Sequence, residues 1–520
     1  MDSGLPGFLP IGQIKADDWA LACGDQTMSW AQVSDQITRL GNFFLESCTQ
    51  GRIAVVGDNS MPTVVAHDAA LVNGLSSVGV NPKLRAAEIE HIFRDAEISL
   101  AVVAPGAAEQ AVLAASTLGI PVVSWPGEDS FGDVHWDDAV AQSDCHWVGA
   151  SLPAVAPVLY TSGTSGFPSG TEVQWTDSIG ATVADMIDIY RNSLAAMSDG
   201  PHLVVGPLYH NGPLLAVRMI LAGRPVAIMD KYDAQEALSI IQSRRIATTV
   251  VVPTHLSRLV NLDEVVKSSY DVSSMRSIRL TGAACPVPVK KSIIEWFGPI
   301  ITESYGGTET HSVASISSEE ALRKPGSVGR TLPRWTVFVA DEEGDEVPIG
   351  QSGRLFFIDA LGRGVSFINN PEKTAAAHLR PGVCTVGDIG YVDEDGYIFL
   401  NDRAVDMVVS GGVNIYPAEC ERVLLLHPQV ADAAAVGLPD DDMGERMVCV
   451  VVAKDVTQAP SAADLNEHCR LHLAPYKCPK EYVFLTSTGR NAIGKVNKRQ
   501  LREALLSEDP EAHLKIHAGR

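Results

Sequence analysis

The sequence predicts an α/β protein: a large unit of buried strands alternating with helices, then a β-rich stretch, then a small α+β unit at the C-terminal end. Short, almost wholly apolar runs carry the first part of this reading. Ile53-Ala54-Val55-Val56, Leu100-Ala101-Val102-Val103, Pro121-Val122-Val123 and Thr248-Thr249-Val250-Val251-Val252 lack the polar alternation of a half-exposed strand, which is the pattern of a parallel sheet covered on both faces. Between them, Met61 to Asn73 and Ala234 to Arg245 have helix-favouring composition and supply crossover connections. From Val328 to Leu400 the texture changes to short alternating strands punctuated by the turn sequences Asp341-Glu342-Glu343-Gly344 and Asp393-Glu394-Asp395-Gly396. Beyond Asn401 come the apolar stretch Val405 to Ser410, the pair Gly411-Gly412, and a helix expected from Pro417, proline being suited to the first helical turn. These changes place one domain at residues 1–402 and a second at 403–520, with a hinge near residue 403.

Composition narrows the function. With 520 residues, 46% of them hydrophobic and 20% charged, the chain is long enough and apolar enough to bury several cores. Its formal charge of −23 repels phosphate backbones and anionic bilayers, so nucleic-acid and membrane-surface partners are disfavoured. An anionic cofactor would have to be held by local backbone N–H groups and a few placed cations. The nine cysteines are scattered without a CxxC or a zinc-like spacing, and read as reduced, mostly buried thiols. Neither a signal-like N-terminus nor an apolar window of ~20 residues is visible, which gives an expectation of a cytoplasmic protein without membrane insertion.

The chemistry-bearing segments come next. After the apolar Pro157-Val158-Leu159 runs a loop of glycines and hydroxyls, Thr161-Ser162-Gly163-Thr164-Ser165-Gly166-Phe167-Pro168-Ser169-Gly170-Thr171. Its glycines let backbone N–H groups converge on an anion, so it suits phosphate, although a solvent-exposed loop of the same composition is an equal prior. No Gly-Lys-Ser/Thr follows, which excludes a Walker A loop. Glu303-Ser304-Tyr305-Gly306-Gly307-Thr308-Glu309 combines a ring that can stack on a base, a hydroxyl and a metal-binding carboxylate. Asp388 in Val386-Gly387-Asp388-Ile389-Gly390 and Arg403 in Asn401-Asp402-Arg403 suit ribose hydroxyls, though each alone reads as a turn residue or a surface charge. Lys495 follows Gly494 in a polar segment near the end, where a lone lysine is ordinarily a solvated surface group.

The order of these segments is more specific than any one of them. Across some three hundred and forty positions, the Thr/Ser/Gly loop, Tyr-Gly-Gly-Thr-Glu, Gly-Asp, Asp-Arg, Ser-Gly-Gly and Gly-Lys resemble the adenylate-forming superfamily, and their wording is closest to the AMP-forming acyl-CoA synthetases. The resemblance implies a large N-terminal domain of two α/β subdomains plus a β-rich one, and a small mobile α+β C-terminal domain. It implies an enzyme that activates a carboxylic acid with ATP and Mg²⁺ and transfers the acyl group to CoA. By the same resemblance, Thr161, Ser162, Gly163, Thr164, Ser165 and Gly166 hold the β- and γ-phosphates. Thr308 and Glu309 address the α-phosphate and Mg²⁺, and Tyr305, Gly306 and Gly307 with Gly282-Ala283-Ala284 flank adenine. Asp388 and Arg403 hold the ribose, and His210 gates the acyl pocket. Gly411 and Gly412 admit the pantetheine arm, and Lys495 bridges the acid and the α-phosphate.

Two positions depart from the family pattern: Ser169 stands where the phosphate loop usually has lysine, and Val405 where the hinge is usually charged. The pocket segments Asn211-Gly212-Pro213-Leu214-Leu215 and Val251-Val252-Pro253-Thr254 are mainly apolar, and Gly206 to His210 contains no aspartate to pair an ammonium, so a hydrophobic carboxylic acid is expected rather than a free amino acid. Arg218 reads two ways, as the partner of a second carboxylate or, more in keeping with the surface preference of arginine, as a helix residue facing solvent or a neighbouring acid. Two other functions compete with CoA ligation: a stand-alone amide ligase passing the acyl-adenylate to an amino acid, and a catalytically silent nucleotide-binding protein that has lost the loop lysine.

Overall fold

The computed structural model describes residues 8–9, 14–48, 51–127, 131–161, 168–173, 175–194, 199–283, 285–341, 343–403, 406–410, 413–440, 443–473, 475–491, 494–507 and 510. Among them, three sheets organise the molecule. The first has seven strands, with Arg52–Val56 central, flanked by Ser76–Val80 and Ile98–Val103 in parallel and closed at one edge by the antiparallel pair Val158–Thr161 and Ser169–Glu172. The second, fifteen strands long, carries His202–Val204, Thr248–Val251, Ser277–Leu280 and Ile301–Gly307 side by side in parallel before turning antiparallel through His311–Ser317. Its far end holds the antiparallel strands between Ser327 and Arg403, the β-rich stretch expected from the sequence.

The apolar runs are strands because each is covered on both faces. Ala54 and Val56 face a core with Ile89, Ile92 and Phe93, while Ile53 and Val55 face one built around the helices Trp30–Ser47 and Met61–Leu71. The second helix sits between the two large sheets and is buried all round, His67 and Asp68 included. One pairing is invisible to local pattern: Trp19–Cys23, near the N-terminus, lies in parallel beside Val226–Ile228 at the edge of the fifteen-stranded sheet.

The third sheet has five strands, with Gly444–Ala453 at its centre and Val430–Asp440 along one edge, and with the helices Pro417–Leu424 and Ala462–His472 packed on one face and Lys498–Leu505 on the other. Its cores share no residue with those of the larger sheets. All nine cysteines are free thiols, seven of them buried. No helix among the described residues is long and apolar enough to cross a membrane.

Candidate active site

Parallel strands present their carboxyl ends on one edge of a sheet, and loops leaving that edge form ligand crevices. The strand Ser277–Leu280 ends there in Thr281-Gly282, and Ile301–Gly307 ends in the turn Gly307-Thr308-Glu309-Thr310. A Cβ on Gly282, whose φ is +92°, would lie 3.1 Å from Val252, so glycine lets this backbone pass close to the neighbouring strand end. Ala283, next to it, is half-buried, and Ala284 lies outside the described residues.

The turn is tied down from within: Thr310 Oγ1 accepts a hydrogen bond from Gly307 N at 2.9 Å. A Cβ on Gly307 would sit 2.7 Å from both carboxylate oxygens of Glu309, so the carboxylate folds back across its own turn and the missing side chain makes room for it. Lys373 is the cation whose charge interacts with Glu309. A half-exposed carboxylate of this kind supplies hard oxygen donors, the chemistry Mg²⁺ takes when a polyphosphate provides its other ligands.

Tyr305, 8% exposed, packs beside Phe357 at 6.0 Å between centroids, and its hydroxyl donates to Asp388 Oδ2 at 2.7 Å. Asp388 in turn is directly paired across the sheet with Arg403 in the register of Asp388–Val392 against Ile398–Arg403. The β-rich stretch therefore brings the Tyr-Gly-Gly-Thr-Glu segment, the Gly-Asp segment and the Asp-Arg segment to one place. Of the phosphate-loop residues, Thr161 is strand backbone paired with Ser169, while Ser162, Gly163, Thr164, Ser165 and Gly166 lie outside the described residues, as do Val405, Gly411 and Gly412. Ser169 is buried at 6% exposure.

Lys495, carried by the five-stranded unit, approaches the larger unit at Thr254 and His210. It sits in a tight turn in which Lys495 N donates to Asn491 Oδ1 and Asn491 N donates to Lys495 O, both at 2.9 Å. Arg490 anchors the turn, donating through Nε and Nη2 to the two oxygens of Asp432 at 2.7 Å each and through Nη1 to Gly494 O at 2.8 Å. Gly494 has φ +73°, and a Cβ there would lie 2.7 Å from Thr254 Oγ1, so the turn is pressed onto the larger unit. His210 confirms the approach electrostatically: burial, and then the nearby Lys495 charge, lower its pKa to about 4, so the imidazole is neutral at pH 7. Its ring packs on Tyr209 at 4.7 Å.

Residues 12–360 match the AMP-binding enzyme family, and residues 419–495 match the AMP-binding enzyme C-terminal domain. The chain belongs to the AMP-binding enzyme family. Among its relatives, an indoleacetate–CoA ligase of Aromatoleum aromaticum is 30% identical over 500 residues, covering 93% of this chain and 94% of that protein. A 2-succinylbenzoate–CoA ligase of Bacillus cereus is 29% identical over 499 residues, covering 94% and 96%. The ATP-bound structure of MatB from Rhodopseudomonas palustris superposes with a TM-score of 0.80 at 26% identity, covering 94% of this chain and 96% of that one. The amide bond synthetase McbA from Marinactinospora thermotolerans has the same fold, with a TM-score of 0.81 at 23% identity over 94% and 97% of the two chains. The α/β architecture with a small C-terminal unit is thus that of AMP-binding enzymes.

One expectation is overturned. Arg218 does not face solvent: it is 5% exposed, in the short helix Leu215–Leu221, all of whose residues are buried. Helices buried on every side occur between sheets, and this one lies between the two large ones. Two residues passed over in the sequence join Arg218 there. Arg279 and His311 both interact electrostatically with it. Arg279 had a visible signal, a lone charge within an otherwise buried parallel strand; His311 had none.

Proposed function

We propose that this AMP-binding enzyme activates a hydrophobic carboxylic acid with ATP, releasing pyrophosphate, and passes the acyl group from the acyl-adenylate to CoA. The observation that supports the reading is the bond from Tyr305 to Asp388 at the end of the strand that leads to Glu309, together with the approach of the Lys495 turn to Thr254 and His210. The whole-length relatives named as CoA ligases support the choice of acceptor.

A carboxylate is a poor acyl donor because its leaving group would be an oxide. Attack of its oxygen on the α-phosphorus of ATP substitutes AMP as leaving group. Negative charge concentrates on the α-phosphoryl group as that happens, and the protein's task is to supply placed counter-charge. Lys495 spans the acid and the α-phosphate, and Thr308 donates to the α-phosphate. Asp388 accepts from, and Arg403 donates to, the ribose hydroxyls, with Tyr305 holding the Asp388 carboxylate in place. Residues 161–166 cradle the outer phosphates. Glu309 would hold Mg²⁺, which neutralises polyphosphate charge when bound. Neutral His210, beside Lys495, guards the acyl pocket without adding a second cation. The segment 403–520 moves as a unit about a hinge near residue 403 and brings Gly411 and Gly412 to the crevice for the second step, where absent side chains leave room for a pantetheine arm. A cytoplasmic location, where thiols stay reduced, belongs to the same reading.

Acid-dependent ATP–pyrophosphate exchange tests the first half, and product mass tests the second. A thioester formed with CoA alone is the expected product. An amide formed from amino acids without CoA would replace CoA by an amine acceptor, and absence of exchange over a broad panel of acids would mark a silent nucleotide binder.

A further inference from the structure

Arg218 is a buried cation and Arg279 a half-buried one. The Arg218 guanidinium lies over the rings of Trp175 and Tyr190, 5.5 and 5.2 Å from their centroids, and donates through Nη2 to the Ser193 hydroxyl. Its Nε is buried without a hydrogen-bond partner, and so are Tyr190 Oη, His311 Nε2 and His202 Nε2. Arg279 lies within electrostatic reach of Arg218, His311 and His202. No ion pair to either Arg218 or Arg279 exists among the described residues. Arg334, which also acts on His311, is by contrast held by Asp359 through two bonds of 2.7 Å. Burying a guanidinium without an anion costs several kcal/mol, which a fold tolerates where a ligand repays it.

The cluster adjoins the reacting centre. Trp175 Nε1 donates to Asn211 Oδ1 at 2.9 Å, and Asn211 follows His210, which Lys495 approaches. A Cβ on Gly212 would lie 3.0 Å from Val250 and 3.5 Å from Thr281, so this loop covers the ends of the two strands. Ile278 and Leu280 belong to the core on the far face of the sheet, so Arg279 points to the near face, under the loop. From Thr281 to Arg279 is two residues of strand, roughly 7 Å. That separates the Lys495 end of the pocket from its cationic floor by the length of a small aryl or alkyl body, with Trp175 and Val250 as apolar walls.

We propose that Arg218 and Arg279 form a second anion subsite at the floor of the acyl pocket, and that the acid activated here carries a second carboxylate, distal to the reacting one, which they bind. The inference rests on the ligase reading above and names its substrate class: an apolar body with an anionic group at each end.

The test compares, on the full-length enzyme, aryl and alkyl monocarboxylic acids with the same skeletons bearing a distal carboxylate and with the distal methyl esters of those diacids. Two readouts are taken: ATP–pyrophosphate exchange, and calorimetric binding of the acids without nucleotide. The expected result is a preference for the free diacid over its monoester of about 10²-fold or more in exchange, because a site built for a charged group is left unpaired by the ester. Arg218→Met and Arg279→Met collapse that ratio towards unity, and Arg218→Lys restores part of it. Equal use of ester and diacid by the wild-type enzyme overturns the subsite even if neither arginine variant folds, and leaves the ligase reading standing. Arginine-dependent diacid binding with no exchange upholds the subsite and removes the ligase. Neither binding nor exchange with any diacid overturns the subsite, and absence of exchange with the monoacids as well overturns the ligase reading.

Discussion

The Tyr305 hydroxyl donates to Asp388 across 2.7 Å, joining two segments that are 83 positions apart in the chain. Because Glu309 follows Tyr305 in the turn that ends its strand, this bond fixes the spacing between the carboxylate proposed to hold Mg²⁺ and the one proposed to hold the ribose. Tyr305→Phe keeps the ring but frees Asp388. A lost hydrogen bond to a charged group corresponds to about 1.5–3 kcal/mol, so the KM for ATP rises roughly tenfold or more. Steady-state exchange at varied ATP, with a thermal melt to exclude unfolding, checks it.

Lys495→Ala slows acid-dependent pyrophosphate release by about 10²–10³ fold, the usual loss when one group that stabilises a developing charge is removed. Wild-type release by the purified variant would remove this lysine from the chemistry.

Gly494→Ala tests the approach of the Lys495 turn independently of its charge. The added methyl meets Thr254 Oγ1 at 2.7 Å, and the backbone at φ +73° disfavours any side chain. Adenylation falls while the melting of the five-stranded unit changes little. Thr254→Ala in the same chain removes the clash, leaves the backbone penalty, and recovers part of the rate. Failure of the double variant to exceed Gly494→Ala would show that contact with Thr254 does not limit closure.

Ser169→Lys restores the cation that the phosphate loop usually carries. The expected outcome is a lower KM for ATP or faster pyrophosphate release, by about tenfold. An unchanged KM with no gain in rate would mean that a cation at this position contributes nothing to ATP binding or pyrophosphate release here.

Acid should destabilise the fold through its histidines. Burial lowers His67, His202 and His311 to about 3, and His210 and His255 to about 4. In the unfolded chain these groups protonate near pH 6.5, in the native state only far below it, so the unfolded state binds more protons across that interval. Stability therefore declines as pH falls from about 6.5 towards 4, by up to about 1.4 kcal/mol per pH unit for each histidine. Asp68, fully buried with its pKa raised, acts in the opposite sense over part of this range. Denaturant unfolding at pH 7, 6 and 5 measures the slope; a flat profile would show these imidazoles are not neutral and buried together.

The α/β core was legible because a strand covered on both faces has to be apolar at every position, as at Ile53 to Val56, where strand Arg52–Val56 indeed lies at the centre of a parallel sheet. The partner of Trp19–Cys23 was not legible, since nothing local marks a strand whose neighbour is Val226–Ile228. Motif order led to the expectation that Glu309, Asp388 and Lys495 share a crevice; what the structure itself joins is Tyr305 to Asp388 and Lys495 to His210. Arg218 failed for a physical reason: surface preference describes arginines on amphipathic helices, whereas Leu-Ala-Val-Arg-Met-Ile-Leu is apolar on every side and its charge travels inward with it.

Arg490 and Asp432 bolt the lysine turn to Val430–Asp440, an edge strand of the five-stranded sheet. The ammonium is consequently cargo of that whole unit rather than the tip of a loop with motion of its own. Any reorientation large enough to present another edge of the unit to the crevice must also carry Lys495 away from His210, so the role proposed for Lys495 confines making the adenylate and consuming it to different arrangements of the same skeleton.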